Sequence, residues 1–100
     1  LIMIKIKISD KKIEIRGHAN FADYGKDIVC AAVSSIVTTS VNDMLTINKD
    51  GIQYVDDAKC VSIMVIQDDD LINKLFNNLK ELLKELSNDY PKNVKVESEE

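Results

Sequence analysis

Ile4, Ile6 and Ile8 alternate with Lys5 and Lys7, and Ile13 and Ile15 alternate with Glu14 and Arg16. A period of two places every isoleucine on one face of a strand and every charge on the other. Only Ser9 and the turn Asp10-Lys11-Lys12 separate the two runs, so Met3–Ser9 and Ile13–Gly17 predict a β-hairpin. A lone hairpin cannot keep such an apolar face out of water. The rest of the chain must cover it.

The following segments supply that cover. From Gly25 or Lys26 to Asn48, Val29, Val33, Ile36, Val37, Val41, Met44 and Leu45 recur at helical spacing. The β-branched run Ile36–Val41 favours a strand on propensity alone. The length of the pattern and the small residues Ala31, Ala32, Ser34 and Ser35 favour a helix. Asn48-Lys49-Asp50-Gly51 is a turn, Ile52–Val55 a short strand and Lys59–Gln67 a longer one. In the longer strand Val61, Ile63 and Val65 fill one face while Met64 and Ile66 make the other apolar, which predicts a central strand covered on both sides. Asp68-Asp69-Asp70 offers an acidic cap. Leu71, Ile72, Leu75, Phe76, Leu79, Leu82, Leu83 and Leu86 then mark an amphipathic helix that Tyr90-Pro91 stops. Val94–Glu97 is a last strand. The expected fold is a single α+β domain over residues 1–100, in the order β-β-α-β-β-α-β, with an antiparallel or mixed sheet and two helices.

One hundred residues with 45% hydrophobic and 30% charged side chains suit one globular domain. A core of this size leaves room for a surface groove rather than a large enclosed cavity, and small size favours dimerisation. Net charge is −4. Residues 1–30 carry six basic and four acidic groups, and the remainder seven basic and thirteen acidic. This balance speaks against a general nucleic-acid binder. The lysines of the hairpin read as a solvated face. No apolar run reads as long enough to span a membrane. No secretory signal is visible, which points to the cytoplasm and to free thiols at Cys30 and Cys60, although a bridge between them is formally open. Leu1-Ile2 reads as a cloning remnant ahead of a natural start at Met3. Two cysteines and one histidine do not make a standard structural zinc site. No metal and no organic cofactor is expected.

The chemistry concentrates between Gly17 and Ser34, which hold the only histidine, His18, and one of the two cysteines, Cys30. A thiol and an imidazole are the minimum set for cysteine nucleophilic catalysis. Strict alternation sends His18 to the Glu14/Arg16 face, and Gly17 can end or kink the strand and re-aim it. Cys30 falls in the first turns of the long helix, where the positive end of the helix dipole favours a thiolate. The alternative for Cys30 is a small buried core residue between Val29 and Ala31. Asp27 and Ser34 share a helix face with Cys30. Asp27 either orients His18 or simply caps the helix. Ser34 either donates to thiolate or substrate, or is small to let helices pack closely. Gly25 lets the loop turn or hinge. Tyr24 and Phe21 either touch substrate or pack the loop down. Cys60, inside a strand, reads as a packing residue.

Gly17-His18-Ala19, the run Tyr24-Gly25-Lys26-Asp27-Ile28-Val29-Cys30-Ala31-Ala32 and Ser34 resemble the signature of the ribosomal-processing cysteine proteases, the Prp family. The likeness extends over essentially the whole chain in length and element order. It implies a small homodimeric α/β protease of bacteria that removes a short N-terminal extension from large-ribosomal-subunit protein twenty-seven. It implies Cys30 as nucleophile and His18 as general base and acid, with Asp27 and Ser34 near the site. It implies a loop, Ala19–Lys26, that orders around substrate. Direct contact with nucleic acid or membrane is not expected. Two other classes remain open at this point. One is a non-catalytic ribosome-associated binding protein in which His18 and Cys30 are structural. The other is a thiol redox sensor in which Cys60 resolves Cys30.

Overall fold

A computed structural model describes residues 3–17, 28–57 and 59–100. Its elements are β1 (Ile4–Ile8), β2 (Lys12–Arg16), α1 (Ile28–Ile47), β3 (Ile52–Asp56), β4 (Cys60–Val65), α2 (Asp70–Asp89) and β5 (Val94–Ser98). The predicted element order holds. The hairpin connection lies one residue earlier than expected, at 9–11 rather than 10–12, because Ser9 N–H donates to the Lys12 carbonyl at 2.9 Å and draws Lys12 into β2. The predicted helix start at Gly25 or Lys26 and the loop Ala19–Lys26 lie outside the described residues.

The strands form one sheet in the order β3-β4-β2-β1-β5. β1 pairs antiparallel with β2, β2 with β4 and β4 with β3, while β5 joins β1 in parallel. The sheet is therefore mixed. β2 and β3 point the same way with α1 between them in sequence, and β4 and β5 do likewise with α2 between them. Both are strand–helix–strand crossovers that skip intervening strands. They step in opposite directions from strands of opposite sense, so the right-handed rule sets both helices on the same face.

That face is the isoleucine face. Ile4, Ile6, Ile8, Ile13 and Ile15 are buried in one core with Val61, Ile63, Val65, Ile72, Phe76, Leu79 and Leu83. Lys5, Lys7 and Arg16 stand exposed on the other side. The expectation that the Lys59–Gln67 strand is covered on both sides is overturned. Cys60, Ser62 and Met64 are only half-buried, and Ile66 lies past the end of β4 with 53% of its surface exposed. Both helices serve the Val61–Ile63–Val65 face, and no other described element covers the opposite one.

α1 also corrects a membrane argument. It is 20 residues long with a mean hydropathy of 1.5, long and apolar enough by length and composition to cross a bilayer. The sequence reading expected no such run. Its apolar stripe of Val29, Cys30, Val33, Val37, Val41 and Met44 is spent on the core instead. α2 is capped as its sequence predicts: the Asp69 carboxylate accepts from the Leu71 and Ile72 amides at 2.9 and 3.1 Å.

Among the described residues one charged side chain is buried, Lys80 of α2. Its ammonium lies 5.0 Å from the centre of the Phe76 ring. It donates to the Asp10 carbonyl at 2.9 Å and to Glu100 Oε2 at 2.6 Å, joining α2, the hairpin turn and the segment after β5. The bond from Lys80, supported by Lys84, holds the Glu100 carboxyl below its ordinary value of 4.5. A depressed carboxylate adds stability that is complete above the unfolded value and is lost as pH falls through the folded one. Glu100→Gln should therefore lower stability at neutral pH and lose that deficit at an acid pH below the depressed folded value. Urea titrations at the two pH values check this; an equal deficit at both would show that the carboxylate's charge is irrelevant.

Candidate active site

Gly17 directs the chain out of the sheet. Arg16, the last residue of β2, is paired with Lys5 and with Cys60. Gly17 follows with φ of 83°, in the left-handed region. A Cβ placed there would sit 2.6 Å from the Met3 carbonyl oxygen, too close for any side chain. Glycine is thus required twice over, by torsion and by space. This is the break in alternation expected just before His18.

Cys30 is the third described residue of α1 and is only 2% exposed, within the common core. The first described turn of α1, from Ile28, holds no acidic side chain. The turn 48–51 joins the end of α1 to the start of β3. α1 packs against β3 and therefore runs back along it, which sets Cys30 toward the sheet end where β2 and β3 finish and β4 begins. Gly17 ends β2 at that same end. Ser34 is one turn beyond Cys30 on the same flank of α1 and is half-buried. His18, Phe21, Tyr24, Gly25 and Asp27 lie outside the described residues.

Cys60 opens β4 on the other side of the sheet. Val61, Ile63 and Val65 face the helices, so Cys60 faces away from them, while Cys30 lies in the core beneath the helices. Neither cysteine is in a disulfide. A bridge needs Cβ atoms about 4 Å apart, and the sheet stands between these two. Cys60 is therefore badly placed to resolve Cys30. Its thiol lies 3.7 Å from the Val61 carbonyl, and its amide donates to Asp57 Oδ1 at 2.8 Å, which with the Lys59 amide holds the Asp57 carboxyl below its usual range. These contacts belong to the tight β3–β4 turn. The sequence reading assigned no role to β3, whose residues Tyr54 and Asp56 carry the helix-side face to the sheet's edge. Burial pushes the Tyr54 hydroxyl up, and the nearby Asp56 charge adds to the shift.

A family model described as cysteine protease Prp matches residues 3–95 of this sequence, and the protein is accordingly a cysteine protease. The chain belongs to the Prp family of ribosomal processing cysteine proteases. It is 32% identical to the ribosomal processing cysteine protease Prp of Mycoplasma genitalium, over 97% of each chain. Its fold is similar to that of the essential ribosomal processing protease Prp from S. aureus in complex with a substrate peptide, with a TM-score of 0.79 at 22% identity over 99% of this chain and 100% of the other. The same S. aureus protease in complex with a covalently linked product peptide gives a TM-score of 0.77 at 24% identity over the same shares. Family membership decides between the classes left open by the sequence: the chain is a protease rather than a binding protein or a redox sensor.

Gly17→Ala should destabilise the fold by at least about 1–2 kcal/mol, the cost of a left-handed residue with a side chain, with a further loss from the Met3 carbonyl. A urea midpoint unchanged from the native protein would show that the turn can be made another way. Cys60→Ala should keep peptide-cleaving activity within about twofold, since the thiol lies on the far face of the sheet. A folded Cys60→Ala protein without activity would give the second thiol a role.

Proposed function

We propose that this protease removes a short N-terminal extension from large-ribosomal-subunit protein twenty-seven, with Cys30 as nucleophile and His18 as general base and acid. The observation that carries this reading is the thiol of Cys30 in the first described turn of α1, at the sheet end where Gly17 turns β2 out of the ladder immediately before His18. The Cys30 thiolate attacks the scissile carbonyl carbon, and the positive end of α1 stabilises the oxyanion. As the carbon–nitrogen bond breaks, His18 gives its proton to the leaving amine. A water then attacks the thioester, His18 takes its proton, and the acyl product leaves as a carboxylic acid. Asp27 orients His18 and Ser34 donates to the thiolate or the substrate. Tyr24 and Gly25 belong to the substrate loop. The S. aureus relative with a covalently linked product peptide supports a covalent route for the fold. We read the enzyme as a cytoplasmic homodimer that works without cofactor. Unbridged thiols and the small size of the chain support that reading.

Burial of Cys30 adds a requirement. A sulfur with 2% of its residue exposed must be uncovered before it meets a carbonyl. Closure of the Ala19–Lys26 loop over an extended peptide would bring His18 to the thiol as the substrate arrives, an induced-fit source of specificity.

Incubation with the extended ribosomal protein and mass spectrometry of the products tests the assignment. Cys30→Ala should abolish cleavage and leave the fold intact, and Cys30→Ser should be nearly inactive. Full cleavage by Cys30→Ala would remove Cys30 from the chemistry. Alkylation of Cys30 should show a rate inflection below the ordinary thiol value of about 8.5. His18→Ala should move the inflection upward. A native inflection at or above about 8.5 would mean that burial outweighs the helix end.

A further inference from the structure

On the face of the sheet opposite the helices, the pairing register sorts the charges of β1, β2 and β5 into rows. Lys5 lies between Arg16 and Lys95, and Lys7 lies between Glu14 and Glu97. The second row alternates in sign. The first is three cations on adjacent strands, with backbones about 5 Å apart. Like charges directly opposite destabilise a sheet. Nearby carboxylates do little to relieve this row. The Arg16–Glu14 contact is 3.7 Å, and Glu14 is already held by Lys12 at 2.9 Å. Asp57 is held by the Cys60 and Lys59 amides ahead of any pull from Arg16. Lys5 and Lys95 join no ion pair among the described residues. All three cations are exposed, Arg16 with 61% of its side chain.

Two hollows follow β1 on this face. One, of about 70 Å³, is walled by Lys5, Lys7, Glu14, Arg16, Lys95 and Glu97. The other, of about 250 Å³, shares Lys7 and Glu14 and reaches Lys12 and Glu99. Together they make a trough along the strand. The rows cross it about 7 Å apart, which is also the repeat of every second residue in an extended peptide. Its charge changes between rows, from three cations to two carboxylates flanking one lysine. A nucleic acid offers an anion at every step and would meet Glu14 and Glu97. No aromatic side chain stands in β1, β2, β4 or β5 for bases to stack on. A protein segment can present both signs at this spacing.

We propose that this face docks an extended segment of a partner protein, with an acidic residue over Arg16, Lys5 and Lys95 and a basic residue two positions along over Glu97. Cys30 lies on the helix side of the sheet, so the docked segment is separate from the peptide being cut. A carboxylate above the cation row relieves the repulsion that the free sheet carries. The opposite charges supply register and orientation more than raw affinity.

Lys5→Glu sets a carboxylate between Arg16 and Lys95, so stability and binding should move in opposite directions. The urea midpoint should rise. Binding of a hexapeptide with glutamate second and lysine fourth, followed by amide shifts in nuclear magnetic resonance, should weaken about fivefold or more. Lys95→Glu should do the same, which keeps the test standing if one variant fails to fold. Glu97→Lys should weaken this peptide, yet bind a hexapeptide with glutamate at both positions at least as tightly as the native protein does. A six-residue uridine RNA should bind the native protein more weakly than the mixed peptide at equal ionic strength. Tighter binding of the RNA would overturn the protein partner. Peptide titrations that leave the Lys5, Lys7 and Lys95 amides unmoved, or urea midpoints that rise in neither lysine variant, would overturn the site. Loss of a native dimer in Lys5→Glu would make the face a contact between two copies of the chain, which also overturns it.

Discussion

One-sided burial of the sheet governs this molecule. The isoleucines of β1 and β2 and the valines and isoleucine of β4 share one face, and two helices cover it. Each fully buried side chain of this size contributes about 1.5–3 kcal/mol, so the face cannot be left open. The helices reach it by crossovers that step in opposite directions across the sheet, which is why one layer of strands and one layer of helices suffice. The open face needs no such cover and can carry Lys5, Lys7, Lys12 and Arg16. On that face Lys12 and Glu14 meet at 2.9 Å, while the Arg16–Glu14 contact is looser at 3.7 Å. The bond from Lys12, ahead of the Coulombic pull of Arg16 and Lys7, holds the Glu14 carboxyl below its usual range. Such exposed pairs add little to stability.

The position of Cys30 follows from this packing. α1 must lay its stripe from Val29 to Met44 on the sheet, and its length carries its start toward the end where β2 departs. Cys30 is thus a core residue in the first described turn of α1. The reading of it as a small buried residue describes its place.

The hairpin, both helices and the order of all seven elements were legible in the sequence because they rest on local periodicity. Residues near each other in the chain decide it. The motif from Gly17 to Ser34 stands out in the sequence for a different reason: few residue types can perform thiol chemistry, and the chain has one histidine. The covering of β4 was misread because Met64 and Ile66 are apolar, and apolar residues on a strand do not reveal whether anything remains to pack on them. The membrane argument failed in a related way. Composition makes α1 resemble a bilayer span, and only the partner of its apolar stripe distinguishes the two cases. Lys12 entered β2 rather than the turn because one backbone bond from Ser9 drew it in.

The sequence alone determined the secondary elements, the glycine that ends the strand before His18 and the presence of the one histidine and a cysteine within one short segment. These depend on torsional preference, period and side-chain chemistry, all carried by neighbouring residues. Tertiary structure alone decided that β5 lies parallel beside β1, that both helices share one face, that Cys30 and Cys60 lie on opposite sides of the sheet, and that β3 is the last strand of the described sheet. Those facts depend on which distant segments meet. Meeting is settled by the need to bury one apolar face completely and by the handedness of the connections, and neither is written at any single position in the chain.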